Sequence, residues 1–250
     1  MFLKQARLIV MILLFLAAGS SAVAGQYADP AGFSFTHPDD WTPVHRAAMG
    51  DVNKNFSPEI KNWIAQNNLD LNRTRVVLIR NVPDDFLANL NVVVEAEEIL
   101  VTQKTVAELT KGLPKEFAAI GVKITNFQAQ IRKVCARDAI VSEYDAQMPG
   151  FPHPLRQRQY YVPGGGKTFT VSCTAKAASF DQYVPTFEGI LASFNVPAPT
   201  APGFIWKGAI TAAIIGAVGG GVTVAVIVVV KKFAGTAGPS GLPRNKLPDE

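Results

Sequence analysis

An uncharged stretch of 22 residues near the C-terminus limits what this chain of 250 residues can fold into. Residues 209–230 carry no charged side chain. As a helix rising ~1.5 Å per residue, they would span ~33 Å, the thickness of a bilayer's hydrocarbon core. Trp206 precedes the stretch, and Lys231 and Lys232 follow it, as is typical of an interfacial aromatic ring and cytoplasmic positive charge. The sequence predicts a transmembrane helix over 209–230 and a disordered cytoplasmic tail over 231–250.

The N-terminus has the pattern of a secretory signal peptide. Lys4 and Arg7 precede the apolar run 8–18, and a small-x-small triplet ends at Ala24. A run of eleven apolar residues is too short to cross a bilayer as a helix. We therefore predict a signal peptide over 1–24 and a single-pass membrane protein with an extracytoplasmic domain over 25–196, periplasmic or at the cell surface.

The charge distribution argues against a nucleic-acid partner. The sequence has an isoelectric point near 9.1, but residues 25–208 contain 18 Lys and Arg against 18 Asp and Glu. A nucleic-acid interface needs a basic surface, and here the surplus lies in the signal peptide and beyond residue 230. Residues 197–208 begin with Pro-Ala-Pro-Thr-Ala-Pro, which predicts a stiff, extended spacer between domain and membrane.

Small residues recur at every fourth position along the predicted transmembrane helix. They lie on one helix face and are Gly208, Ala212, Gly216 and Gly220. Such a stripe lets a second helix approach closely, which predicts self-association. The alternative is that membrane helices are simply rich in glycine and alanine.

Residues 25–196 show the patterns of several strands and helices. Alternation or buried runs predict strands over 32–36, 75–80, 91–95, 122–133, 137–147, 155–162 and 167–174. Helical spacing predicts helices over 57–67, from a capping box at Thr105 to Ile120 with a kink or break at Pro114, and over 180–194. Short turns between successive strands, such as Gly164-Gly165-Gly166, pair them antiparallel. The expected class is an α+β domain with helices covering the sheet.

Four segments resemble the PsbP-like family. They are Phe33-Ser-Phe-Thr-His-Pro-Asp-Asp-Trp41, Asn91-Val-Val-Val, Gly166-Lys-Thr-Phe-Thr-Val and Phe187-Glu-Gly-Ile-Leu-Ala-Ser-Phe194. The resemblance implies a three-layer α/β/α sandwich on a mostly antiparallel sheet. It also implies a protein that acts by binding other macromolecules. The predicted transmembrane helix and the insert-like helix over 57–67 depart from that family.

Few residues have the pattern of a chemical site. His37, Asp39, Asp40 and His45 are metal-type ligands around a proline turn, and the simpler interpretation is a polar turn after a strand. No nucleophile stands with a base and an orienting group. We therefore expect no catalytic residue, metal or cofactor.

The loop 148–154 holds Phe151 and His153 between prolines at a hairpin tip. This arrangement predicts a contact surface. The alternative is that Phe151 folds back on the sheet.

The predicted turns place Cys135 and Cys173 at least ~20 Å apart, which is too far for a disulfide.

Together these features predict a non-enzymatic, membrane-anchored extracytoplasmic binding domain that engages a protein partner at the membrane surface. The alternatives are a small-ligand or metal-binding exported module and an exported hydrolase.

Overall fold

The computed structural model describes residues 25–45, 61–62, 65–66, 73–80, 88–148 and 151–200. The segments predicted as signal peptide, as transmembrane helix with its small-residue stripe, and as cytoplasmic tail lie outside these ranges. Within them, no helix is both long enough and apolar enough to cross a membrane.

The described chain contains nine strands and two long helices. In chain order they are β1 (Gly25–Asp29), β2 (Phe33–His37), β3 (Trp41–His45), β4 (Thr74–Arg80), β5 (Asn89–Glu95), α1 (Gln103–Ala119), β6 (Lys123–Val134), β7 (Arg137–Gln147), β8 (Leu155–Gly164), β9 (Lys167–Lys176) and α2 (Phe180–Ala192). Strands β1 and β2 form a hairpin. The other seven form one sheet in the order β3-β4-β5-β9-β8-β7-β6, with every neighbouring pair antiparallel. The predicted α+β class is confirmed.

The two helices contribute to cores on opposite faces of the sheet. Because side chains alternate along a strand, Ile140 and Tyr161 join the core under α1, whereas Val141 and Tyr160 join the core under α2. Helix α1 buries Val106, Leu109, Leu113 and Phe117 on the first face. Helix α2 and the β1–β2 hairpin bury their aromatic rings on the second face, including Phe33, Phe35, Phe180 and Phe187.

Helix α1 differs from its prediction at both its start and its middle. The N-cap is Thr102, whose hydroxyl accepts from the backbone N–H of Thr105 at 3.2 Å. Thr105 therefore lies in the first turn and does not cap the helix. The expected alternative of two short helices was also wrong, since one continuous helix of 17 residues contains Pro114. Packing of the apolar face against the sheet accounts for this continuity.

Two strands were missed and one predicted helix is only partly described. Strand β1 has few apolar residues, and β3 contains Pro43, which lowers strand propensity everywhere except at sheet edges. Strand β3 is indeed an edge strand. Of the helix predicted over 57–67, residues 61–62 and 65–66 are helical, and the remainder lies outside the described residues.

The α1-facing side of the central strands carries a row of buried polar side chains. The Tyr144 hydroxyl donates to Gln157 Oε1 at 2.8 Å, and Gln157 Nε2 donates to Thr174 Oγ1 at 3.0 Å. Beside this row, Gln159 Nε2 donates to Ser172 Oγ at 3.1 Å. These residues are at most 1% exposed. Their mutual hydrogen bonds offset the cost of burying polar groups.

Candidate functional site: the linker end of the sheet

Two hairpin turns meet at one end of the sheet, which we call the linker end. The turn between β8 and β9 consists of Gly165 and Gly166, with φ of 60° and 75°, as the glycine triplet predicted. The turn between β6 and β7 consists of Cys135 and Ala136, with φ of 51° and 62°. Side chains are strained in this left-handed region. The linker end is therefore built from two tight turns, of which one carries strain.

The chain that follows α2 returns to the linker end and lies along it. We call residues 195–200 the linker segment. Asn195 pairs with Ser34 of β2 through two backbone hydrogen bonds of 2.8 and 3.0 Å. The Gly165 N–H then donates to the Ala198 carbonyl at 2.8 Å. A Cβ added to Gly165 would lie 3.1 Å from Pro197, so glycine also makes room for the segment.

Glu98 fixes the far end of the linker segment. One of its carboxylate oxygens, Oε2, accepts from the Gly166 N–H at 2.8 Å and from the Thr200 N–H at 3.1 Å. It also accepts from the Thr200 hydroxyl at 3.2 Å. Glu98 is 8% exposed, so these donors replace the water that burial removes from the carboxylate.

Arg137 holds the near end of the same segment. Its guanidinium donates to the Val196 carbonyl at 2.7 Å and to the Pro197 carbonyl. Residues 197–200 are the start of the predicted stiff, extended spacer between domain and membrane. The structure shows that hydrogen bonds with Gly165, Arg137 and Glu98 hold these first residues against the domain.

A cleft of about 290 Å³ lies beside Arg137, between the end of β6 and helix α2. Its lining consists of Arg132, Lys133, Val134, Cys135, Tyr160, Glu188, Leu191 and Ala192. The Tyr160 side chain is 4% exposed, and its hydroxyl oxygen faces the Arg158 guanidinium, while the hydroxyl proton has no acceptor within the described structure. Burial is the main cause that raises the pKa of this phenol. The cleft thus combines two cations, one carboxylate and a buried hydroxyl.

The two cysteines are free thiols, which confirms the prediction that they form no disulfide. Cys173 pairs with Arg158 in the sheet and is fully buried. Cys135 lies in the β6–β7 turn, and its thiol donates to the Leu191 carbonyl at 2.8 Å. Burial raises the pKa of both thiols, so neither is activated as a nucleophile.

The loop that carries the predicted contact residues lies at the opposite end of the sheet, which we call the loop end. Strand β8 runs from Leu155 at the loop end to Gly164 at the linker end, about 30 Å at ~3.4 Å per residue. Phe151 is half-buried against the core under α1, whereas His153 is exposed. The Phe151 carbonyl accepts from Gln147 Nε2 at 2.8 Å. The ring thus packs back in part, and the contact role of both residues stays a prediction.

The four candidate metal ligands do not converge. His37 Nδ1 lies 3.0 Å from the Pro38 carbonyl, and Asp40 forms an ion pair with Arg80 at 2.9 Å. His45 Nδ1 lies 3.4 Å from the Tyr27 hydroxyl. Within the described ranges, no three His, Cys, Asp or Glu side chains are grouped so that they could hold a metal ion. The structure favours the polar-turn interpretation, since the Trp41 N–H donates to the Pro38 carbonyl at 3.0 Å.

Sequence reasoning missed the residues that build the linker end. Glu98 stands in an ordinary acidic pair with Glu97, and Arg137 follows a turn without glycine or asparagine. Tyr160 resembles any aromatic residue of a buried strand. The Gly164-Gly165-Gly166 triplet was the available signal, because three glycines leave room for another segment of backbone.

The fold and the linker end together define the class of this domain. It is an α+β domain on an antiparallel sheet, with the linker segment docked at one end of the sheet.

Comparison with protein-family sequence models gives no match, and neither does comparison with curated protein sequences. Comparison with solved structures does give matches. Cyanobacterial PsbP (CyanoP) from Synechocystis sp. PCC 6803 shares 18% identity with a TM-score of 0.46, over 72% of this chain and 95% of that one.

A second similar structure is LpqN of Mycobacterium tuberculosis, described as involved in cell envelope biogenesis. It shares 12% identity with a TM-score of 0.39, over 70% of this chain and 92% of LpqN. A PsbP protein is thus among the structures to which this chain is similar.

Proposed function

We propose that this chain is a non-enzymatic binding domain, tethered at the extracytoplasmic face of a membrane, that engages a protein partner at the membrane surface. The docked linker segment is the observation that carries this proposal. A spacer whose first residues are fixed to one end of the domain would orient that end toward the membrane anchor. Glu98, Gly165 and Arg137 supply that attachment.

The position of the attachment assigns the two ends of the sheet different roles. Trp206 lies six positions after Thr200, and at ~3.3 Å per residue this distance is at most ~20 Å. The linker end therefore faces the membrane in this proposal, and the loop end with Phe151 and His153 points away from it. Tethering raises the effective concentration of the domain for any partner in the same membrane.

Photocrosslinking in intact cells tests the partner. A photoreactive residue replaces His153 in the full chain, and a matched control carries it at Lys115, an exposed position on α1. The proposal expects one discrete protein adduct from position 153 and none from position 115. Identical adducts from both positions would contradict it. So would a pull-down from detergent-solubilised membranes that recovers only the protein itself.

The two sequence-based alternatives are separated from this proposal by direct measurements. Elemental analysis of the full chain purified from metal-supplemented culture tests the metal-binding module, with His37→Ala as its variant. Turnover of ester, peptide or glycoside substrates, and its loss on changing one histidine, would support an exported hydrolase.

A further inference from the structure

We propose that the cleft between β6 and α2 binds the phosphodiester group of a membrane lipid headgroup. This inference rests on the proposed tethering, because the cleft lies at the linker end. Arg137 is part of the β6–β7 hairpin whose turn residue Cys135 lines the cleft, and its guanidinium also holds the Val196 and Pro197 carbonyls. The path to the predicted membrane anchor thus begins directly beside the cleft.

The charges of the cleft favour a singly charged anion. Arg132 and Lys133 contribute two positive charges to its lining and Glu188 contributes one negative charge. Lys133 also pairs with Asp138 at 3.0 Å, but both side chains are more than half exposed, and such a pair contributes little. Glu188 shares the Arg158 guanidinium at 3.5 Å. A net charge near +1 matches a phosphodiester better than a doubly charged phosphate monoester.

The Tyr160 hydroxyl gives the cleft a buried donor. The side chain is 96% buried and lines the cleft, and its hydroxyl oxygen faces the Arg158 guanidinium, while the hydroxyl proton has no acceptor within the described structure. A buried hydroxyl proton without an acceptor is unfavourable. A phosphate oxygen in the cleft would accept this proton. Val134, Leu191 and Ala192 supply an apolar wall for the glycerol carbons.

The size of the cleft agrees with a headgroup. Its volume of about 290 Å³ is at the lower end of the ~300–1,000 Å³ range of small-molecule sites. It would hold a phosphodiester with its glycerol unit, while the acyl chains remain in the bilayer.

Cys135 provides a built-in reporter of occupancy. Its thiol lines the cleft and is partly exposed, whereas Cys173 is fully buried. The alkylation rate of Cys135 is measured in the full chain in a maltoside detergent, with glycerophosphoglycerol as the soluble probe. At ~90% occupancy the rate falls about tenfold. Arg132→Gln and Tyr160→Phe abolish this protection, and the matched charge change Lys115→Gln on α1 retains it.

The remaining measurements distinguish lipid from free phosphate and test the assignment itself. Reconstituted into phosphatidylglycerol–phosphatidylcholine vesicles, Cys135 should react more slowly than in vesicles of digalactosyl diacylglycerol, which lack phosphate. Equal rates in the two vesicles, or equal protection by inorganic phosphate and the diester, would overturn the lipid assignment. These results do not depend on a protein partner, so failure here leaves the crosslinking test of the proposed function intact.

Discussion

Removing the Glu98 carboxylate should loosen the linker segment while the domain stays folded. In Glu98→Ala, the N–H groups of Gly166 and Thr200 and the Thr200 hydroxyl lose their shared acceptor. Hydrogen bonds to a charged group contribute ~1.5–3 kcal/mol each, so the two bonds from Thr200 are worth ~3–6 kcal/mol. Ordering residues 199 and 200 costs ~2–4 kcal/mol of backbone entropy.

The net stability of the docked linker segment is the difference between its hydrogen-bond contribution and its ordering cost. The linker segment is docked by about 1–2 kcal/mol beyond its ordering cost, and loss of the Gly166 bond adds about 1.5–3 kcal/mol. We expect Glu98→Ala to lower the free energy of unfolding by about 3 kcal/mol, or about 6–12 °C in Tm for a domain of this size. Glu98→Gln keeps a neutral acceptor and should cost about half as much.

Thermal melts and amide hydrogen exchange of the full chain measure both effects. The Gly166 and Thr200 amides should exchange faster in Glu98→Ala than in the wild type. Glu97→Ala is the matched control, because the Glu97 side chain is exposed and its loss should change stability by less than ~0.5 kcal/mol. Equal melting of both variants, with both amides still protected, would contradict this role of Glu98.

Three further predictions concern the strands and the thiols. Tyr144→Phe leaves a buried acceptor unsatisfied and should cost about 1–2 kcal/mol in chemical denaturation; no measurable change would contradict the hydrogen-bonded polar row. The hydrogen bond from Arg156 is the main cause that lowers the pKa of Asp145 from 3.8. That carboxylate therefore stabilises the fold above its ordinary pKa, and the contribution is lost as the pH falls through the lowered value. The Tm difference between wild type and Asp145→Asn should be largest at pH 7 and shrink below about pH 4. A difference that does not change with pH would contradict a stabilising role of the ionised Asp145 carboxylate. Without reductant, Cys135 should alkylate slowly and Cys173 only on unfolding, and an intrachain disulfide on a non-reducing gel would contradict both expectations.

Local patterns predicted most of the central sheet. Alternation over 137–147 gave β7 its observed bounds, and the glycine triplet gave the β8–β9 turn because glycine adopts positive φ without strain. The turn at Cys135 and Ala136 could be located only from the strands on either side of it. Its residues carry no turn signal, and the paired strands hold it in shape.

Contacts between distant residues could not be predicted in the same way. Glu98 and Thr200 are 102 residues apart in sequence, and no local pattern connects them. The proline-rich composition of 197–202 predicts a spacer, but it cannot show that a buried carboxylate holds Thr200 against the domain. The buried polar row could not be predicted from local sequence either, since alternating polar residues ordinarily indicate a solvent-facing side of a strand.

The orientation of the domain on the membrane is the most direct test of the account. The full chain is reconstituted in nanodiscs with an acceptor dye in the lipid, and a donor is attached at Glu97→Cys or at His153→Cys in a Cys135→Ser background. A domain held by its linker end should transfer energy efficiently from position 97 and weakly from position 153, about 30 Å further from the bilayer along the strands. Equal transfer from both positions would contradict a fixed linker end, and the proposed presentation of the loop end would fail with it.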